Sequence, residues 1–326
     1  MKRRELIAAL GGGAAAWPLA ARAQQAPEVP SVGFVYPGSK AATGPRIEAI
    51  LSGLRASGYA APAQIEIVVR TAEGDPAQIA PLVTDIIAKK VNVIIANGPP
   101  VLQAARSITR AIPIVAIDLE TDPVASGIAA TLARPGGNIT GVFLDFTDFT
   151  GKWLEMLIEG NPKLARAAVL WDPVTGPVQM DAVKKAGKTL DIQLDTLEVR
   201  RPSDFDAAFS IASQRSVGAM VILSSPLIAP NVQVLADLAL RHRLPAVTLF
   251  PDFARAGGFL AYGPNLLNLF RSVGILAGKI LRGAKPAELP IERPTKFETV
   301  LNMRTAHALG ISIPASLLLR ADEVIE

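Results

Sequence analysis

The chain has 326 residues, of which 50% are hydrophobic and 5% aromatic, and its 33 basic and 29 acidic side chains give a formal net charge of +4. It has no cysteine, so disulfides, thiolate metal sites, a cysteine nucleophile and a lipid-modified cysteine are excluded. A chain of this length favours two domains and buries enough surface to be stable without disulfides.

The N-terminus has the pattern of a secretory signal peptide. Basic residues at 2–4 precede an uncharged run at 6–21, and a small-x-small triplet follows at 21–23. The uncharged run is shorter than the roughly 20 apolar residues that span a bilayer. We therefore expect cleavage after Ala23, which leaves a periplasmic protein that begins at Gln24. The arginine pair at 3–4 leaves the twin-arginine and the general secretory routes both open.

Loss of this segment also changes the charge. Four basic residues and one acidic residue leave with it, so the net charge falls from +4 to +1. A nucleic-acid-binding protein needs a basic stripe that neutralises phosphates. Here the lysines and arginines are scattered among acids, and no nucleic-acid partner is expected.

In the first half of the chain, short apolar runs alternate with segments whose apolar residues recur at helical spacing. Strands are predicted at 31–36, 65–70, 91–96 and 112–117. Continuous apolar strands separated by amphipathic helices are typical of a parallel sheet that is covered on both faces. These residues predict one doubly wound lobe.

The same alternation restarts after a turn rich in proline and glycine at 134–138. Strands are predicted at 168–171, 192–199, 219–223 and 246–250, with amphipathic helices between them. The second half therefore predicts a second lobe of the same kind. The expected fold class is α/β, with two doubly wound parallel-sheet lobes.

The chain does not end when the second lobe is complete. A strand at 259–262, a long helix at 264–281 and another strand at 298–302 remain. We therefore expect the chain to recross between the lobes. Lobe 1 is assigned residues 31–142 plus about 264–293, and lobe 2 residues 143–262 plus about 296–326.

Aromatic residues at the predicted strand ends indicate a binding cleft. Ligands of open α/β sheets bind beyond the carboxyl ends of the strands, where Tyr36, Trp171, Phe250 and Tyr262 are expected. Core packing would place such rings within strands or on helix faces. We interpret the four as rings that stack on a planar or amphipathic solute, with aromatic amino acids and heterocycles ahead of sugars.

Polar anchors are expected from the loops at the same edge, because a small-molecule site needs a few placed polar groups among apolar walls. The candidates are Ser39, Asn97, Gly98, Glu120, Asp172 and Ser225. Asp118 is an alternative to Glu120, whereas Asp122 before Pro123 is interpreted as a cap.

The sequence shows little that indicates catalysis. Its two histidines, His242 and His307, are not at predicted strand ends, and it has no nucleophile elbow, P-loop or metal-binding motif. We expect no enzyme activity, no cofactor and no metal. An enzyme on a doubly wound scaffold stays open, because fold alone does not exclude it.

From residue 31 to the end, the chain resembles the ABC transporter substrate-binding family, whose members include tryptophan- and tyrosine-binding receptors. The resemblance rests on Ala72-Glu73-Gly74, Ile112-Pro113-Ile114-Val115, Asp122-Pro123-Val124, Leu132-Ala133-Arg134-Pro135-Gly136-Gly137-Asn138-Ile139-Thr140-Gly141, His242-Arg243-Leu244-Pro245-Ala246, Tyr262-Gly263-Pro264, Pro294-Thr295-Lys296-Phe297-Glu298 and the C-terminal segment 317–326. The loop Asn97-Gly98-Pro99-Pro100 departs from the family, which more often has small hydroxyl residues or alanine there.

This resemblance implies the type I periplasmic-binding fold, with a three-segment hinge and a small-molecule solute held between the lobes. The hinge segments would be 140–145, 262–265 and 293–297. The implied partners are a membrane permease and an ATPase of an importer. A periplasmic sensor that presents a solute-loaded lobe to a membrane receptor is the alternative that the sequence leaves open.

The signal peptide gives a first prediction. Intact-mass measurement of the exported protein should show a chain that begins at Gln24 and is found in the periplasm. Lysine at both positions 3 and 4 should block export only if the twin-arginine route is used. An exported chain that retains Met1, or a protein found mostly in the cytoplasm, would contradict the prediction.

Overall fold

Five parallel strands form the first sheet. The computed structural model describes residues 29–59 and 64–326, so the predicted signal peptide and its cleavage site lie outside the described residues. The strands are β1 (Ser31–Tyr36), β2 (Glu66–Thr71), β3 (Val93–Asn97), β4 (Ile114–Asp118) and β5 (Ile139–Phe143). Their order is β2-β1-β3-β4-β5, and every pair is parallel.

Helices connect these strands as the apolar periodicity predicts. They are α1 (Thr43–Ala56), α2 (Ile79–Ala88) and α3 (Pro99–Ile108). Strand β5 was not predicted from the sequence, where its residues were interpreted as a turn and a crossing between the lobes. Gly141 lies within β5 at φ +151°, and a Cβ there would overlap the backbone of Ala116 on β4. Gly141 interrupts the apolar pattern that would have predicted the strand, yet only glycine lets β5 pair this closely with β4.

The second sheet is larger and mixed. Its strands are β6 (Arg166–Trp171), β7 (Gln193–Glu198), β8 (Ala219–Ile222), β9 (Ala246–Thr248), β10 (Leu260–Pro264), β11 (Phe297–Asn302) and β12 (Glu323–Ile325). Their order is β12-β11-β10-β9-β8-β6-β7, and β10 pairs with β11 in the antiparallel sense. The predicted fold of two doubly wound, largely parallel lobes is confirmed, and the antiparallel pair is an addition.

Helices cover both faces of this second sheet. They are α4 (Phe146–Gly160), α5 (Val178–Thr189), α6 (Phe205–Gln214), α7 (Val232–Arg241), α8 (Pro251–Arg255), α10 (Met303–Leu309) and α11 (Ala315–Arg320). Within the two described ranges, no helix is both long and apolar enough to cross a membrane.

The chain returns to the first sheet through α9 (Leu266–Leu281), which lies beside α1 and over β3 to β5. The segment that follows also runs along β5, since Phe143 donates its N–H to the carbonyl of Glu292 at 3.1 Å and Glu292 donates to Gly141 at 2.9 Å. The chain then enters β11 in the second sheet. Three connections thus join the two sheets, and we propose that they form the hinge.

Helices α1 and α9 approach each other more closely than side chains allow. A Cβ on Gly53 would overlap the carbonyl oxygen of Arg271, and a Cβ on Gly274 would overlap the carbonyl oxygen of Ile50. One turn further along, the Ser57 hydroxyl donates to the Ile275 carbonyl at 3.1 Å. Glycine at both positions therefore sets the distance at which α9 packs on the first lobe.

Gly274→Ala tests this contact. Alanine normally stabilises a helix interior relative to glycine by about 0.5–1 kcal/mol, but here the new methyl group meets backbone that cannot move aside. We expect the free energy of unfolding to fall by about 2–3 kcal/mol, measured by urea denaturation. The control is Gly44→Ala in the first turn of α1, where a Cβ meets nothing within 4 Å. Equal stability of the two variants would contradict the proposed contact.

Candidate ligand-binding site

A cavity of about 440 Å³ lies at the carboxyl ends of the strands, between the two lobes. The first lobe contributes the loops after β1, β3 and β4 and the first turns of α1 and α9. The second lobe contributes the loops after β8 and β9. Its walls include Tyr36, Gly38, Ser39, Arg46, Glu73, Asn97, Gly98, Pro99, Leu119, Glu120, Ser225, Pro226, Phe250, Asp252, Leu266 and Phe270.

Most of the residues chosen from the sequence lie along this cavity. Seven of the ten line it, namely Tyr36, Ser39, Asn97, Gly98, Glu120, Ser225 and Phe250. Trp171, Asp172 and Tyr262 are not among the residues that line this cavity.

Trp171 ends β6 as predicted, and Asp172 follows it. In the sheet, β6 lies beyond β8 and β9, the two strands whose following loops line the cavity. The Trp171 ring is half-buried and packs against the core. The Asp172 side chain is buried and accepts the N–H of Val174 at 3.1 Å, which caps the turn that follows. Both residues therefore complete the lobe at the end of β6.

Tyr262 lies in the middle of β10, because this strand continues two residues beyond its predicted end. Its ring stacks on Phe149 at 5.2 Å and on Phe297 at 5.8 Å between ring centroids. Its carbonyl accepts the indole N–H of Trp153 at 2.8 Å. This aromatic cluster joins α4, β10 and β11 where the chain passes between the lobes.

An aromatic wall with a cation against it forms one side of the cavity. The guanidinium carbon of Arg46 lies 4.9 Å from the Tyr36 ring centroid and 5.7 Å from that of Phe270. Burial raises the pKa of Tyr36, although the positive charge of Arg46 opposes this rise. Neither Arg46 nor Phe270 was among the site residues predicted from the sequence. Arg46 lies in the first turn of α1, the helix that follows β1, and this position at the sheet edge could have indicated it as a site residue.

Glu120 is buried at the floor of the cavity and connects the lobes. Ser224, which follows β8 in the second lobe, donates a hydrogen bond from its hydroxyl to the carboxyl group of Glu120. The side chain of Gln179 fixes Ser224 through two hydrogen bonds of 2.8 and 2.9 Å to the backbone of that residue. Burial, followed by the nearby charge of Asp118, raises the pKa of Glu120 to about 8. Glu120 is thus mostly uncharged at neutral pH.

The start of α3 presents few hydrogen-bond donors. Gly98 has φ +83°, and its N–H already donates to the Ile117 carbonyl at 2.7 Å. Pro99 and Pro100 have no N–H, although the first turn of a helix ordinarily offers such groups to an anion. Ser225 is also occupied, since its hydroxyl oxygen accepts the N–H groups of Leu227 and Ile228 at 3.1 Å each.

The histidines lie away from this cavity. His242 is the C-terminal cap residue of α7, and its Nδ1 lies 3.0 Å from the Ser213 hydroxyl. His307 lies in the last turn of α10. Among the residues that the structure describes, no three histidine, aspartate or glutamate side chains are grouped to hold a metal ion.

Comparison with models of known protein families identifies one family. A family model described as "ABC transporter substrate binding protein" matches residues 27–325. A tyrosine-binding protein of Clostridioides difficile (strain R20291) is 24% identical over 266 residues, which cover 80% of this chain and 75% of the relative.

Solved structures show the same fold at low sequence identity. An ABC domain from Streptococcus pneumoniae in complex with L-Trp has a TM-score of 0.83 and 21% identity, covering 91% of this chain and all of that one. The ligand-free, open structure of a substrate-binding protein with adhesive properties from Clostridium difficile has a TM-score of 0.69 and 22% identity, covering 91% of this chain and 99% of that one.

Glu120 gives a prediction about pH. Its pKa of about 8 exceeds the ordinary value of 4.5, so between these pH values the folded state binds more protons than the unfolded state. The stabilisation by the protonated carboxyl is complete below about pH 4.5 and is lost as the pH rises through 8. Glu120→Gln keeps an oxygen that accepts from Ser224 but does not titrate.

The free energy of unfolding of wild type should therefore fall, relative to Glu120→Gln, by at least about 1 kcal/mol between pH 5 and pH 8.5. Urea denaturation across this range measures the difference. Glu155→Gln, on the exposed face of α4, is the control and should follow wild type. Parallel pH profiles for wild type and Glu120→Gln would contradict the assignment.

Proposed function

This chain belongs to the ABC transporter substrate-binding protein family, and from that premise we propose that it is a periplasmic receptor that captures a small solute between its lobes. It would deliver the solute to a membrane permease that an ATPase drives. The observation that carries the proposal is the cavity at the strand ends, which takes its walls from both lobes. A ligand held there contacts both lobes at once and so stabilises the closed arrangement.

Contacts at the cleft and the hinge support such a closing motion. The bond from Ser224 to Glu120 crosses between the lobes and forms only when they are together. Near the hinge, Arg293 donates to the carbonyls of Phe143 at 3.1 Å and Leu144 at 2.8 Å. These bonds hold the segment after β5 against the returning chain, while backbone rotation in the three connections can move one lobe relative to the other.

The walls of the cavity favour a planar or amphipathic solute. Tyr36 and Phe270 come from the first lobe and Phe250 from the second, so a flat group between the lobes would meet rings on both sides. Offset or edge-to-face ring pairs contribute roughly 0.5–1.5 kcal/mol beyond the area they bury. The tyrosine-binding relative and the L-Trp complex support an aromatic compound.

The receptor would release its solute unchanged. The histidines, which are the commonest general bases in enzymes, lie away from the cavity. Incubation of the protein with its solute, followed by mass spectrometry of the solute, distinguishes this role from that of an enzyme on the same scaffold.

Ligand screening tests the function directly. A ligand at 100 times its Kd adds about 2.7 kcal/mol to the free energy of unfolding, so a thermal-shift panel of aromatic and aliphatic acids, amino acids, amines, purines and sugars should give clear positive compounds. Phe250→Ala should weaken the Kd of a positive compound by about 10- to 100-fold, as measured by calorimetry.

The matched control is Tyr59→Ala, which removes a half-buried ring beyond the far end of α1 and should leave the Kd unchanged. A panel without any stabilising compound would oppose the receptor function. Conversion of a bound compound to a product would identify an enzyme instead.

A further inference from the structure

The charges along the cavity are unequally compensated. Glu73 accepts hydrogen bonds from the Lys40 N–H at 2.9 Å and the Thr71 hydroxyl at 2.6 Å. Asp252 pairs with Arg255 at 3.2 Å, and Arg255 is itself anchored by Glu323 at 2.7 Å. Each of these exposed acids therefore already has a partner on its own lobe.

Arg46 differs from these groups because it has no carboxylate partner among the described residues. It is also the one basic residue along the cavity wall in the described part of the chain. Glu120, which lies across the floor, is held mainly in its uncharged form by burial. The guanidinium of Arg46 is thus the positive charge along the described cavity wall, and it has no ion pair with a described carboxylate.

The position of this guanidinium is fixed. One of its Nη atoms donates to the carbonyl of Ala42, one turn earlier on the same chain. Its plane lies near both Tyr36 and Phe270. A guanidinium has five N–H donors in a rigid fork, which matches the two oxygens of a carboxylate. A second interaction of the guanidinium is its hydrogen bond to the Tyr36 hydroxyl. With two donors used, the fork still offers others to a ligand.

The start of α3 does not compete for such an anion. Pro99 and Pro100 remove two of its donors, and the N–H of Gly98 is already bonded within the lobe. An anionic group in this cavity therefore finds its strongest partner at Arg46 and not at the helix terminus. An ammonium group, in contrast, meets no carboxylate at the cavity that is both charged and free of a partner.

We propose that Arg46 binds a carboxylate of the solute, and that the solute is an organic acid with an apolar, planar body for which an amino group is not required. This inference rests on the proposed receptor function. It adds the chemical class of the ligand to that function. It also distinguishes this receptor from one that recognises both the carboxylate and the amino group of an amino acid.

A matched series of compounds tests the ligand class. The probes are 3-phenylpropionate, 3-phenylpropanamide, 3-phenylpropylamine and L-phenylalanine. The acid, amide, amine and amino acid are then compared again with an indole ring in place of the phenyl ring, and for any aliphatic compound that the screen finds. The acid should bind at least about 10-fold more tightly than the amide and the amine. The acid should also match or exceed the amino acid.

Variants of Arg46 connect the preference to one side chain. Arg46→Met keeps an apolar stem against the two rings and should weaken the acid by about 10- to 100-fold, while the amide changes less than about threefold. Arg46→Lys keeps the charge without the fork and should be intermediate. Arg55→Gln removes an exposed arginine from the same helix and should leave every Kd unchanged. Melting temperatures without ligand establish that each variant is folded.

Each outcome decides between the two proposals. Acids that bind best and lose affinity in Arg46→Met support the inference. Amines, neutral compounds or sugars that bind best, or an acid whose Kd is unchanged in Arg46→Met, would overturn it while the receptor function stands. If no compound of any class binds, the receptor function itself fails, and the inference fails with it.

Discussion

The close contact between α1 and α9 is the constraint on which the rest of the structure depends. Gly53 and Gly274 let two helices from distant parts of the chain meet backbone to backbone, and this contact seals one face of the first sheet. The helix that seals the first lobe, α9, lies in sequence between β10 and β11 of the second lobe, so the lobes are joined by several connections. A single linker would let two lobes tumble independently, whereas several parallel connections restrict them to opening and closing about a common axis.

The cleft between the lobes combines features that are costly for stability. A glutamate at its floor is removed from water beside a second carboxyl group, Asp118, whose pKa is also raised by burial. Such a pair destabilises a folded protein unless hydrogen bonds compensate it, and here one hydroxyl and a few backbone N–H groups do so. Perturbed carboxyl groups of this kind are concentrated at functional sites. Their position beside the cavity supports the proposal that a ligand binds there.

The apolar runs of the sequence predict both sheets because parallel strands are buried on both faces and therefore stand out from their surroundings. Strand β5 was not predicted because Gly141 interrupts its run of apolar residues. Strand β12 escaped because three residues carry too little pattern. A residue at the end of a predicted strand is expected at the edge of the sheet, but the sequence does not show which part of that edge faces the other lobe. For that reason Trp171 and Tyr262, which were expected at strand ends, do not line this cavity. Arg46 was not predicted, because its partners, Tyr36 and Phe270, are 234 positions apart in the chain and meet only through α9.

The late position of α9 also separates the order of synthesis from the order of folding. All five strands of the first sheet are made before Phe146, yet the face over β3 to β5 has no cover until Leu266–Leu281 has been added. During that interval an apolar surface is exposed on the nascent chain, which is a state prone to aggregation. The first lobe therefore cannot complete its fold until α9 has emerged from the ribosome. Swapping it alone between two receptors of this architecture would transfer an unfinished domain unless α9 moved with it.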